Sequence, residues 1–229
     1  MSDQAAMVSK SERTWILVSG FAGLAAAILV GAGEGLLQFN AAGGYEAPDY
    51  SYFAAVPVSR MTAGHFLAVL AAPLYVAGYW HLSKMLEPAG PRLAKFVFFA
   101  GAYSFIVGTA WISQRVFLGL TAHEIAAGAD LSTLLVAFSE RNEPLVNVLR
   151  VAMLIISVIW IFLIVRGKSH YPRWMAFFSP IVLLVSIFAL YFAAPTIGVY
   201  FLPIAMNVVH AIVFGLSLVV ALGLPKGRA

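Results

Sequence analysis

The sequence predicts an all-α membrane protein, a polytopic bundle of six transmembrane helices with both ends in the cytoplasm. Three observations predict it. Of 229 residues, 62% are hydrophobic and only 10% charged. A soluble domain carries roughly 25% charge, so lipid must solvate most of this surface. Six apolar stretches are each long enough to supply the roughly 20 helical residues that cross a bilayer's hydrocarbon. The basic residues between them fall almost entirely on one side, and that bias sets orientation.

The predicted spans run over about 14–38, 61–86, 93–120, 144–166, 172–194 and 197–223, in one membrane-embedded domain covering 1–229. The first run begins at Trp15 behind a polar segment. It is too long for a signal-peptide core of roughly 7–15 residues, so it reads as a retained span. Pro88, Gly90 and Pro91 separate the second and third spans, Gly167 to Pro172 the fourth and fifth, and Pro195 the last two. Pro144 suits the first turn of the fourth span, where a missing N–H costs nothing. Lys10, Arg13, Lys84, Arg92, Lys95, Arg166, Lys168, Arg173, Lys226 and Arg228 mark the cytoplasmic side. The other side holds Glu46, Asp49, Glu124, Asp130, Glu140 and Glu143, with Arg60, Arg115 and Arg141 near it. The expected location is a bacterial inner membrane.

The outer connections are long. Residues 39–60 carry Tyr45, Tyr50, Tyr52 and Phe53, rings that prefer the headgroup level, so this loop is expected to lie back on the bilayer. Residues 130–141 predict a short interfacial helix, capped by Asp130 and apolar along Leu131, Leu134, Leu135 and Phe138. Gly23, Ala27, Gly31 and Gly35 recur every four residues in the first span, a spacing that lets another helix approach closely. A span of the same chain is the favoured partner. A second protomer in a homo-oligomer is the alternative.

The chain has no cysteine, which excludes disulfides, thiolate catalysis, zinc–thiolate sites and iron–sulfur clusters. The formal charge of +4 does not point to nucleic acid, because the basic residues are dispersed at span ends, where anionic headgroups lie. There is no G-x-S-x-G turn and no dinucleotide fingerprint. The glycine-rich stretch 31–35 lies inside an apolar span and is no phosphate cradle.

Ionisable groups within a span are costly and persist where they face other helices, water or a ligand. Glu34 and Gln38 lie one turn apart near the outer end of span one. His65 lies near the outer end of span two. Trp111 and Arg115 climb one face of span three, and Glu143, Asn147, Arg150 and Ser157 share a face of span four. Asn207, His210, Phe214 and Ser217 share a face of span six. His81 and His170, beside Trp80, Lys84 and Lys168, read as ordinary interfacial histidines. The inner half therefore offers no matching set, and a polar pocket opening to the outer face is expected.

That pocket, counted with Arg115, Arg150, His65 and His210 against Glu34, leans positive. It would bind or convert a small amphipathic molecule or a lipid bearing a carboxylate, a phosphate or a polarised carbonyl. Glu34, His65 and His210 are the acid–base candidates. Gln38, Trp111, Arg115, Asn147, Arg150 and Asn207 would hold the ligand, with its apolar body among Trp111, Phe214 and Tyr75. A structural ion pair of Glu34 with Arg150 or Arg115 is the packing alternative. A metal held by Glu34, His65, His123 and His210 is disfavoured, because Arg115 and Arg150 would repel a divalent ion. No cofactor is assigned. Proton-linked transport is the second functional reading, and an accessory subunit of a membrane complex the third.

The run Gly33-Glu34-Gly35-Leu36-Leu37, followed by Arg60, His65 and Gly78-Tyr79-Trp80-His81-Leu82, resembles the first two spans of an uncharacterised bacterial family of small six-span membrane proteins. The likeness covers about the first hundred residues. It implies a shared bundle and a shared acidic position at Glu34, and it carries no activity.

Overall fold

The computed structural model describes residues 9–225 apart from Glu46 and Pro48. Lys226 and Arg228, used above to orient the chain, lie outside the described residues, as does Glu46. All regular structure among the described residues is helical.

Helix α1 spans Lys10–Gln38. The Ser9 hydroxyl caps it by accepting from the Glu12 N–H at 3.2 Å, one of the four donors a helix start leaves free. At its other end, Arg60 donates from Nε to the Leu36 carbonyl at 3.0 Å and from its terminal nitrogen to the Phe39 carbonyl. A cation at a helix C-terminus both satisfies carbonyls and complements the dipole.

Helices α2 (Val58–Ala71) and α3 (Leu74–Leu86) replace the single second span. They meet at 42°. Pro73 stands at the break, where its ring removes a donor and clashes with the preceding turn. Helix α4 (Pro91–Ala126) opens on a proline at its first position. Helix α5 (Ser132–Val165) runs unbroken through Pro144, so the separate interfacial helix over 130–141 does not exist. Asn142, fully buried, donates from Nδ2 to the Trp111 carbonyl at 2.9 Å and to Gln114 Oε1 at 3.4 Å. Those bonds pin the proline-weakened turn to α4. Nor does Asp130 cap this helix: Leu131 holds that position without a side-chain bond.

Prolines also fragment the C-terminal third. The stretch expected as one span over 172–194 is a 3₁₀ turn, Arg173–Phe178, followed by α6 (Pro180–Ala193). Then come α7 (Pro195–Gly198), a 3₁₀ turn at Leu202–Ile204, and α8 (Ala205–Leu222). Among the described residues four segments are long and apolar enough to cross a membrane, and five if the bent α2–α3 pair is one span. Helix α6, at 14 residues, is about 21 Å long at 1.5 Å per residue.

Helix α1 is the hub and packs against α2, α3 and α8. The small-residue stripe faces inward. A methyl on Gly23 would come within 2.6 Å of Gly78 Cα on α3, and one on Gly31 within 3.0 Å of Asn207 Cβ on α8. A second crossing lies at Gly33, where a methyl would meet the Ala68 nitrogen of α2 at 2.6 Å. Close backbone approach of this kind is what small residues permit.

Three of the four rings expected at the headgroup level in the connection after α1 are instead turned into the protein. Tyr50, Tyr52 and Phe53 are buried, stacked on one another and packed over α4 through the 3₁₀ turn Ser51–Ala55. Tyr50 takes a left-handed backbone (φ 54°) to make the turn.

Candidate functional site

A buried polar relay joins α1, α4, α8 and the roofing loop. Glu34 is 5% exposed, and its carboxyl group has two donors. Asn207 Nδ2 donates to one of its oxygens, and Gln38 Nε2 to the other at 3.2 Å. Gln38 sits one turn from Glu34, so both side chains leave the same face of α1. The Gln38 amide also donates to the Pro203 carbonyl at 2.6 Å, while its oxygen accepts from Arg115 Nε at 2.9 Å. Asn207 accepts in turn from the Tyr75 hydroxyl at 2.7 Å.

Arg115 uses all three of its nitrogens. Besides Gln38 it donates to the Tyr52 hydroxyl at 2.5 Å and approaches Glu143 Oε1 at 3.4 Å. Its guanidinium lies 4.8 Å from the Trp111 ring centroid and within 6 Å of Tyr50 and Phe53, the range of cation–π attraction. Tyr50 donates to the same Glu143 oxygen at 2.7 Å. Burial, reinforced by that carboxylate, holds the Tyr50 hydroxyl well above the usual phenol range, so it remains a donor. Among the described residues Glu34 makes no ion pair within 4.0 Å. The expected Glu34–arginine contact is instead relayed through the Gln38 amide.

The relay forms the polar end of a cavity of about 490 Å³. Glu34, Gln38, Trp111, Arg115 and Arg150, each expected at a site, line it, together with Tyr52 and Glu143. Its other wall is apolar and comes largely from α6, through Leu184, Phe188 and Phe192. A molecule filling it would meet donors and carboxylates at one end and hydrocarbon along its length, as small-molecule sites generally present.

Other expected members lie elsewhere. Asn207 touches Glu34 and borders a separate space of about 40 Å³. His210 is buried and does not line the large cavity: its Nε2 faces the Tyr79 hydroxyl at 2.7 Å and its Nδ1 the Met206 carbonyl at 2.7 Å. The carbonyl can only accept, so Nδ1 carries the proton and Tyr79 donates to Nε2. His65 is half-buried on α2, beside Phe66 and away from the cavity. Asn147 is exposed and accepts from Arg150 at 2.9 Å. Tyr75 and Phe214 pack in the core with Phe105 and do not line the cavity. With both histidines outside it, the cavity holds two arginines and two glutamates and does not lean positive. His123 donates to the Val56 carbonyl at 2.6 Å, and among the described residues no three histidines or carboxylates converge to hold a metal ion.

Tyr52 and the Pro203 carbonyl were not expected at the site. The sequence puts Glu143 on the polar face of the fourth span with Asn147 and Arg150 but does not assign it to the pocket, and it marks Tyr52 only as a ring at the headgroup level. His81 overturns the reading of an empty opposite half. It is fully buried, with Nδ1 on the Ile16 carbonyl at 2.7 Å and Nε2 on the Ser217 hydroxyl at 2.6 Å, and Tyr171 completes the set at 2.6 Å from Ser217.

A family of unknown function, DUF6796, matches residues 7–223. The chain belongs to that family. The match extends well beyond the first hundred residues on which a family likeness was expected, and it includes every residue of the relay. No curated protein and no solved structure matches the chain.

Proposed function

We propose that the chain is an integral protein of a bacterial inner membrane, and that its large cavity binds or chemically converts a small amphipathic molecule or lipid. The observation that carries this reading is the cavity itself: about 490 Å³, with the Glu34–Gln38–Arg115–Glu143 relay at one end and an apolar wall along α6. Six crossings follow if α6 and its preceding turn form one, with the half-exposed Trp174 at a lipid–water boundary. Contacts between charged helix ends support a common cytoplasmic side. Lys84 Nζ lies 3.9 Å from Glu12 and 2.7 Å from Glu87, and Arg13 donates to the Leu222 carbonyl at 2.9 Å.

In a catalytic version Glu34 is the acid or base, since its carboxyl group lines the cavity and two amides hold it in place. The test is a density map of the purified protein, paired with mass spectrometry of extracted lipids and metals. Non-protein density between Glu34, Trp111 and Leu184 supports the reading, and an empty, water-filled cavity in several lipid environments defeats it.

One observation favours proton-linked transport as the second reading. Polar groups continue past the cavity along the α3–α8 seam, through Tyr75–Asn207, Tyr79–His210 and His81–Ser217. Under that reading Glu34→Gln uncouples uptake from pH in proteoliposomes. Under the enzyme reading the same change abolishes turnover while the ligand still binds. An accessory subunit would co-purify with a partner and tolerate the change.

A further inference from the structure

Trp111 borders two spaces at once. One is the cavity of about 490 Å³ and the other the space of about 40 Å³, and Glu34, Leu149 and Met206 border both as well. Those shared residues make the small space a continuation of the large one beside Glu34. Its polar side chains are Glu34, Thr109, Trp111 and Asn207. Three of them are engaged within the protein. Asn207 donates to Glu34 and accepts from Tyr75, Gln38 donates to the other Glu34 oxygen, and Thr109 donates to the Phe105 carbonyl at 2.7 Å. The Trp111 indole nitrogen is buried and has no hydrogen-bond partner among the described residues.

An indole N–H can only donate. Enclosed without an acceptor, it loses its hydration and gains nothing in return, and native proteins leave few such groups unmet by a water, an ion or a ligand. The residue is held in place. The Arg115 guanidinium lies 4.8 Å from its ring centroid, and Asn142 donates to its carbonyl at 2.9 Å. The acceptor therefore has to come from the spaces the side chain borders.

Charge narrows the choice. In the lining, Glu34 and Glu143 stand against Arg115 and Arg150. Arg115 meets Glu143 at 3.4 Å, and Arg150 is exposed to solvent. A charged head would upset this balance, and an anion in the small space would lie against the Glu34 carboxyl group. A hydroxyl head would bring a further donor that itself needs an acceptor, whereas a carbonyl brings acceptor capacity alone.

We infer that the occupant is an uncharged amphiphile whose carbonyl oxygen accepts the Trp111 N–H where the two spaces meet, with its apolar body along Leu184 and Phe188. The inference rests on the cavity being a ligand site and narrows what that site takes. Acyl esters and quinone rings both present such an oxygen.

Thermal unfolding in neutral maltoside detergent, titrated with each probe, gives apparent affinities through the shift in midpoint. Each carbonyl probe is compared with a hydrocarbon of its own shape: methyl palmitate with heptadecane, and decylbenzoquinone with decylbenzene. Hexadecyl phosphate is the anionic probe. The wild type is expected to bind at least one carbonyl probe about tenfold tighter than its hydrocarbon, the ordinary return for one buried hydrogen bond, and tighter than the phosphate. Preference for the ester points to a lipid and preference for the quinone to a ring, and either supports the inference. Trp111→Phe keeps a ring, deletes the N–H, and should erase the preference while leaving the hydrocarbons unchanged. A second measurement on the wild type covers a variant that fails to fold. The infrared stretch of the tighter probe's isotope-labelled carbonyl should fall on binding, and a stretch equal to that in hydrocarbon solvent overturns the inference. So does a preference that survives Trp111→Phe, a wild type without preference, or equal binding of the phosphate. Leu184→Trp fills the cavity and should weaken every probe that binds. If it does so in a protein without carbonyl preference, the cavity reading stands alone. If no probe binds, or Leu184→Trp changes nothing, both fall.

Discussion

Arg115 shows why a single side chain can hold this site together. Its planar fork reaches three partners on three segments, Gln38, Tyr52 and Glu143, while its face rests on Trp111. A lysine offers one compact ammonium and cannot span that arc. Arg115→Lys should therefore lower stability by about 1–3 kcal/mol, since buried acceptors on Gln38 and Tyr52 lose their donor. Thermal unfolding in detergent measures it, and an unchanged midpoint would show that the relay is not structural. A parallel case is Tyr79→Phe. It removes the donor to His210 Nε2 and should cost about 1–3 kcal/mol for the same reason. The sequence exposed much of this chemistry, because Glu34, Gln38, Trp111 and Arg115 are polar or amphipathic groups at one-turn spacing inside apolar helices. It hid the role of Tyr52, which depends on how a loop folds over the bundle, and it put Glu143 on a polar face without linking it to Arg115. It misplaced His81, because Trp80 and Lys84 beside it look interfacial while the imidazole points into the core.

Between elements, fit is decided by backbone distance and by what surrounds each proline. Pro73 bends its segment by 42° while Pro144 leaves α5 continuous. The residue is the same, and the difference is the buried Asn142 that ties the second turn to α4. Sequence alone cannot separate the two outcomes, because the tether is tertiary. Glycine positions differ in the same way. A methyl at Gly33 would meet α2 backbone at 2.6 Å, whereas one at Gly35 would meet only the Ile204 side chain at 3.6 Å. Gly33→Ala should push α1 and α2 apart and destabilise by about 1–3 kcal/mol, as overpacking does. Gly35→Ala should be neutral or slightly stabilising, because helical glycine costs roughly 0.5–1 kcal/mol relative to alanine. Equal melting midpoints for the two variants would contradict the crossing described here. The connection after α5 adds a pH effect. Burial lowers the pKa of His170 below the usual imidazole value, opposed by the Glu12 and Glu87 charges. The unfolded chain then binds the proton more readily than the folded one, so stability falls as pH drops through about 6.5 and below. His170→Gln should lose less stability than wild type between pH 7.5 and 5.5, and equal losses would assign the acid sensitivity to other groups.

For the whole molecule the open geometric question is α6, and it decides both topology and access to the cavity. Its 14 residues give about 21 Å of helix against about 30 Å of hydrocarbon. A crossing needs the preceding turn at Arg173–Phe178 to extend it, or a thinned bilayer. The apolar run in the sequence reads as a full span because hydropathy counts residues, not the prolines that end a helix at Pro180 and Pro195. The absence of cysteine makes the test direct, since any single cysteine introduced is the only one. Ser169 lies in the connection before α6, and Thr196 lies in α7 beyond it. If α6 crosses, a membrane-impermeant maleimide should label Thr196→Cys in intact spheroplasts and Ser169→Cys only in inverted vesicles. Labelling of both from one side would make α6 a re-entrant hairpin. The chain would then cross five times, its two ends would lie on opposite faces, and the apolar wall of the cavity would be a flap over the bundle instead of a lipid-facing span.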